Sequence, residues 1–102
     1  MFLREIGPVG AIEAFETVLK CKWTLRILAL LAEAPKRPAE LFRGLPGISW
    51  KVLYERLARL VDFGFVEKTV VSEKPSHVEY ALTPKGRRAA EIVEMVKALD
   101  DL

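Results

Sequence analysis

The chain has one cysteine and one histidine in 102 residues. A single cysteine cannot close an internal disulfide, and a lone histidine without a second His or Cys at ligand spacing gives no metal site. Every familiar nucleophile and base pair would have to be built on His77, and the chain has neither a glycine-rich phosphate loop nor a nucleophile elbow. The carboxylates Asp100 and Asp101 sit at the fraying C-terminus. An enzyme is therefore not expected, nor a cofactor. No apolar run approaches the roughly 20 residues of a membrane span, and the opening MFLREIGPVG lacks the apolar core of a signal peptide. Cytoplasmic residence without a membrane partner is the simplest expectation. Repeats and low-complexity segments are also absent.

What is present has an ordinary globular balance, 51% hydrophobic and 29% charged, in a length suited to one core. The net charge of +2 is uninformative by itself, but the charge is unevenly placed. Residues 36 to 59 carry Lys36, Arg37, Arg43, Lys51, Arg56 and Arg59 against Glu40 and Glu55, a net +4, whereas residues 60 to 83 set Lys68 and Lys74 against Asp62, Glu67, Glu73 and Glu79, a net −2. A basic patch of this size is either a nucleic-acid footprint or a solvated face without a partner.

The basic excess coincides with the stretch GISWKVLYERLARLVDFG at residues 47 to 64. Ser49 is a good N-cap, Gly64 a left-handed stop, and the intervening residues predict one helix to about Phe63. Leu53, Leu57, Leu60 and Val61 recur on one face, with Lys51, Glu55, Ala58 and Asp62 opposite and Tyr54 and Arg59 flanking. Upstream, PAELFRGLPG reads as a shorter helix ended by a Gly/Pro turn. The pair predicts a helix-turn-helix, whose second helix can enter the DNA major groove.

The rest of the chain extends this unit. Residues 1 to 9 are expected to be an irregular arm in which Phe2, Leu3 and Ile6 could pack on a partner, and the domain proper spans 10 to 102. Ile12, Phe15, Val18 and Leu19 give a first helix from Ala11 to about Lys20 an apolar face. Cys21, Lys22 and Trp23 mark a junction, and residues 24 to 34, TLRILALLAEA, predict a buried second helix stopped by Pro35. Beyond Gly64 the period becomes extended. Residues 65 to 71 and 77 to 82 predict two strands joined by a polar loop at 72 to 76, which makes a wing. Thr83 then caps a helix with Pro84 at its first position, running towards Leu102. The expected fold is α+β, mostly helical: a winged helix-turn-helix with a two-stranded wing and terminal helices for dimerisation.

The segments KWTLRILALL (22 to 31), PAELFRGLPGISWKVLYERLARL (38 to 60), and VEY with LTPKGR (78 to 87) occur in an order and spacing that resembles the HxlR-type winged helix-turn-helix transcriptional regulators. The similarity covers roughly residues 10 to 99. It implies a dimeric, DNA-binding regulator in which the terminal helices pair the subunits, the helix after Ser49 is the recognition helix, and the loop around Lys74 is the wing tip. The chain also departs from the family pattern. Where many members carry a cysteine-proline pair used by some as an electrophile or oxidant sensor, this chain has Gly10 and Ala11. Trp50 stands where proline often follows the N-cap serine, and His77 stands where arginine often precedes VEY.

With that resemblance, Lys36, Arg43, Ser49, Trp50, Lys51, Tyr54, Arg56, Lys74 and His77 are the expected DNA-binding residues. Lys51 and Tyr54 should point outward from the first turns of the recognition helix, towards base edges or phosphates. Trp50 either meets a thymine methyl or staples the turn on Ile48 or Leu45. For Arg56 an ion pair with Glu40 competes with a phosphate contact. Lys74 and His77 could set positive charge against the minor groove or backbone. Cys21 lies between Lys20 and Lys22 and is read as a small hydrophobe rather than a sensor.

Hydrophobic accounting adds a homodimer. Ala89, Ile92, Val93, Val96 and Leu99, widened by Met95 and Leu102, make more apolar stripe than a monomer of this size covers. Ile12, Phe15 and Leu19 offer a matching surface, so Ile12, Phe15, Leu19, Ile92, Val93, Val96 and Leu99 are the expected dimer interface. The partners expected are double-stranded DNA and a second copy, with no effector specified. The competing function is a winged helix used as a protein-protein interaction module, with Trp50 and Tyr54 as its anchor.

Overall fold

The computed structural model describes residues 10–73 and 76–102. The arm at 1–9, with Phe2, Leu3 and Ile6, and the wing-tip Lys74 lie outside the described residues. In chain order the elements are α1 (Ala11–Lys20), α2 (Lys22–Glu33), α3 (Pro38–Arg43), α4 (Trp50–Asp62), β1 (Val66–Glu73), β2 (Ser76–Leu82) and α5 (Pro84–Lys97), closed by a 3-10 turn, Ala98–Asp101. This is the expected winged helix-turn-helix.

α1 and α2 are separated by Cys21 alone, whose extended backbone (φ −113°, ψ 108°) breaks the helix in a single residue. Lys22 and Trp23 consequently belong to α2, which starts two residues earlier than hydrophobic periodicity suggested. Ala34 is again extended, and beyond it Lys36 exchanges two backbone hydrogen bonds with Tyr80, at 3.0 and 2.8 Å. This bridge ties the connection before α3 to the wing. α3 starts with Pro38 at its first position, and the Glu40 carboxylate accepts from the Arg37 amide at 2.8 Å. That hydrogen bond, aided by the nearby Lys36, Arg37 and Arg43 charges, holds the Glu40 carboxyl below its usual range.

α4 is N-capped by Ser49, whose Oγ accepts from the Val52 amide at 3.1 Å. It ends at Gly64 with φ +83°, the left-handed conformation that a Cβ would strain. Leu53, Leu57 and Leu60 are fully buried against Ile27, Leu28 and Leu31 of α2 and Leu41 and Leu45 of the helix-turn-helix. Each such side chain contributes on the order of 2 kcal/mol of hydrophobic stabilisation. Val61, placed with them on the helical wheel, is instead exposed. It lies about 100° around the axis from Leu60, and the buried arc is narrower than the apolar one.

The wing pairs Val66↔Leu82 through Val70↔Val78, then Ser72↔His77 and Glu73↔Ser76, with Val71 as an extra residue. The polar stretch expected to be loop is therefore mostly ladder. Backbone groups pair whatever the side chains, and the bulge at Val71 restores register so that strand continues to Glu73.

The junction between α4 and α5 is closely tied. The Thr83 hydroxyl donates to the Gly64 carbonyl at 2.6 Å and accepts from the Gly86 amide at 3.0 Å, capping α5. The Lys85 ammonium donates to the Phe63 carbonyl at 3.2 Å, and the Thr83 amide to the Phe65 carbonyl at 3.0 Å. Gly86 packs so closely that a Cβ there would lie 1.8 Å from the Phe65 carbonyl oxygen. Replacing a helical glycine with alanine ordinarily stabilises by about 1 kcal/mol, but Gly86→Ala should destabilise by about 3 kcal/mol or more because backbone must move. Urea denaturation checks the sign.

Candidate nucleic-acid interface

The first two turns of α4 present the outward surface. Lys51 is exposed, and Trp50 and Tyr54 retain 45% and 48% of their accessible area while Leu53 between them is buried. Side chains four apart share a face, which brings Trp50 and Tyr54 together with ring centroids 6.0 Å apart. The larger contact crosses between helices. The Phe42 ring of α3 stacks on Trp50 with centroids 4.1 Å apart and planes within 1° of parallel. The stapling partner of Trp50 is thus Phe42, in place of the expected Ile48 or Leu45, because the α3–α4 crossing sets the two rings face to face. Periodicity did not reveal this contact. Its one signal was a half-apolar α3 with Phe42 and Leu41 adjacent, of which only Leu41 is fully buried.

The other expected DNA-binding residues are placed less uniformly. Ser49 caps α4 with its hydroxyl, and Arg43 is exposed in the last turn of α3. Lys36 directs its ammonium to Glu33 at 3.4 Å and is largely covered, so its charge is already partnered. Arg56 makes no ion pair with Glu40, whose carboxylate is engaged by the Arg37 amide. Its Nε is enclosed and without a hydrogen-bond partner among the described residues. The Nε2 of His77 is likewise enclosed and without a partner among the described residues. Tyr80, on the same strand, is buried against the core. Burial pushes its hydroxyl above the ordinary range, and neighbouring Tyr54 adds to the effect.

The expected dimer residues divide in two. Ile12, Leu19, Ile92, Val96 and Leu99 are exposed and Phe15 is half-buried, whereas Val93 is only 8% exposed and belongs to the chain's own core. α5 packs on α2 over a groove of about 220 Å³ lined by residues including Leu25, Ala29, Ala32 and Val93. Helical spacing alone cannot separate the face that meets α2 from the one beside it. Among the described residues no helix is long and apolar enough to cross a membrane, and no cluster of His, Cys, Asp or Glu could hold a metal ion.

A short helix, a turn, an N-capped second helix with an exposed polar and aromatic face, and an antiparallel wing define a winged helix-turn-helix domain of the kind that reads DNA. The HxlR-like helix-turn-helix family matches residues 18–101, and the chain belongs to that family of transcriptional regulators. Among its relatives is the HTH-type transcriptional regulator sll1512 of a Synechocystis species, 34% identical over 89 residues that make up 87% of this chain and 66% of the relative, just under two thirds of its length. Another is YodB of Bacillus subtilis, 35% identical over 87% of this chain and 80% of the relative. The reduced form of YodB superimposes with a TM-score of 0.80 over 91% of each chain, at 33% identity. A MarR-family transcriptional regulator from Enterococcus faecalis gives a TM-score of 0.81 at 31% identity, covering 89% of this chain and 83% of that one.

The split of the α5 stripe has a direct consequence. Val93→Glu should destabilise the fold by about 3 kcal/mol or more, since it buries an unpaired carboxylate. Val96→Glu, on the 42% exposed position one turn on, should leave far-UV circular dichroism unchanged at room temperature. Equal loss of structure in both variants would contradict the division.

Proposed function

We propose that the chain is a cytoplasmic, homodimeric, sequence-specific DNA-binding regulator, acting as a repressor that blocks polymerase at a pseudo-palindromic operator. The observation that carries this is the outward set Trp50, Lys51 and Tyr54 on an N-capped helix whose opposite face, Leu53, Leu57 and Leu60, is locked in the core. Such a helix is held rigidly and presents its first turns, the part of a recognition helix that meets base edges. Lys51 and Arg43 supply phosphate or base contacts, and Ser49 fixes the helix start. Lys36, paired with Glu33, and the enclosed Arg56 and His77 are secondary in this reading, and a contact with the DNA backbone is assigned to Lys74.

Dimerisation is supported by the exposed apolar residues at both ends of the domain. Ile12 and Leu19 on α1, and Ile92, Val96 and Leu99 on α5 and the turn after it, remain uncovered in one chain. An isologous interface between two copies covers both sets. The two-fold axis then places half-site centres about one helical turn apart, roughly 10 base pairs, or a near multiple.

The Phe42, Trp50 and Tyr54 cluster also favours a second function, a protein-protein module with an aromatic anchor. Salt separates the two, because phosphate contacts make affinity fall steeply with ionic strength and an aromatic protein interface responds little. Lys51→Ala and Tyr54→Ala should each weaken specific operator binding by about 1–3 kcal/mol without unfolding the protein, and Lys51→Ala should reduce the slope of log affinity against log salt by about one. Unchanged affinity in both variants would refute the assignment.

Cys21 is half-buried at the break between α1 and α2, and the cysteine-proline positions of the family pattern hold Gly10 and Ala11. Cys21→Ser is expected to leave DNA affinity, and its response to oxidant, as in the parent. Oxidant-dependent release that vanishes in Cys21→Ser would establish sensing at this thiol.

A further inference from the structure

We propose that Phe42 is a positioning residue that fixes Trp50 so that the edge of its indole reads the 5-methyl group of a thymine in each operator half-site. The inference rests on the DNA-binding function proposed above and names the base chemistry at one of its positions. It starts from the stack itself. Trp50 is the first residue of α4, and Phe42 belongs to the other helix of the helix-turn-helix. Centroids 4.1 Å apart and an interplanar angle of 1° set the indole face to face with the Phe42 ring.

A free tryptophan at a helix start samples several rotamers, and the stack removes that freedom before DNA arrives. With one face covered by Phe42 and Tyr54 close beside the ring, the indole still keeps 45% of its area open. This open area is a fixed apolar surface at the N-terminal end of the recognition helix. In the major groove, donors and acceptors line every base pair, and the 5-methyl of thymine is the apolar group among the four unmodified pairs. A rigid apolar edge gains by covering that methyl. Set against the carbonyl or amino groups of a G·C pair, the same edge desolvates them without returning a hydrogen bond. Selectivity therefore arises from both attraction and penalty.

The test uses full-length protein and the operator recovered by selection from random DNA. Each thymine is replaced in turn by deoxyuridine, which deletes the methyl and leaves base pairing intact. At one symmetric position the parent should bind about fourfold more weakly per half-site, the value of one buried methyl-sized group. Trp50→Ala should bind the thymine and deoxyuridine operators equally. Phe42→Leu, which keeps apolar bulk for folding but removes the planar stack, should lose most of the discrimination although Trp50 is intact. In a second arm with cytosine at the same position, 5-methylcytosine should restore about the same fourfold. A parent indifferent to every deoxyuridine substitution, while Lys51→Ala still weakens specific binding, overturns the methyl contact and leaves the DNA-binding function standing. Full discrimination in Phe42→Leu overturns the positioning role of Phe42.

Discussion

The carbonyls of Phe63, Gly64 and Phe65, in the turn that follows α4, are satisfied by the residues that begin α5. Thr83 donates its hydroxyl to Gly64 and its amide to Phe65, Lys85 reaches the Phe63 carbonyl, and Gly86 lies against the Phe65 peptide. A turn without such partners would leave part-buried acceptors unpaired at a cost of about 1–3 kcal/mol each. Here the Thr83 hydroxyl also caps the next helix, so the turn after α4 and the start of α5 are secured together. The wing is inserted between them and leaves and returns at Val66 and Leu82, which pair with each other. α4 and the helix bearing the exposed apolar stripe are thereby fixed in orientation. In a two-fold dimer built on α5, that orientation determines where the two α4 helices point, and the spacing of the half-sites follows from it.

The opposite end of α4 is secured differently. Ser49 caps the backbone, while Phe42 and the buried leucines hold the side chains. The energy that locks the helix comes mainly from its apolar face, and the exposed face makes little contribution to stability. Lys51 and Tyr54 are consequently free to be used for recognition, since removing either takes away no core contact. In the function proposed, one face of α4 makes the fold, and the other is the face offered to DNA.

Much of this was legible from residue types. Ser49 and Gly64 marked the ends of α4, Thr83 and Pro84 the start of α5, and the leucine spacing the buried face. What could not be read was which neighbour each side chain meets. Periodicity assigned Val93 to the same stripe as Val96, yet α2 covers the first and not the second. Charge proximity suggested Arg56 with Glu40, but Glu40 is engaged by the backbone at its own helix start, an interaction local in sequence and hence cheaper in entropy. The wing ran further than its apolar residues because strand pairing uses the backbone, and the Trp50 partner depended on how α3 crosses α4. The Gly86 contact was hidden for the same reason: a glycine inside a helix reads as a weakness until the peptide beside it is known.

Selection of bound fragments from random or genomic DNA tests the central claim most directly, that a fixed geometry between α4 and α5 makes the chain a two-fold reader of DNA. The recovered sequences should share a pseudo-palindrome whose half-site centres lie about one helical turn apart, roughly 10 base pairs, or a near multiple of it. Failure to enrich any sequence, or recovery of a single asymmetric site bound tightly by a monomer, would contradict it.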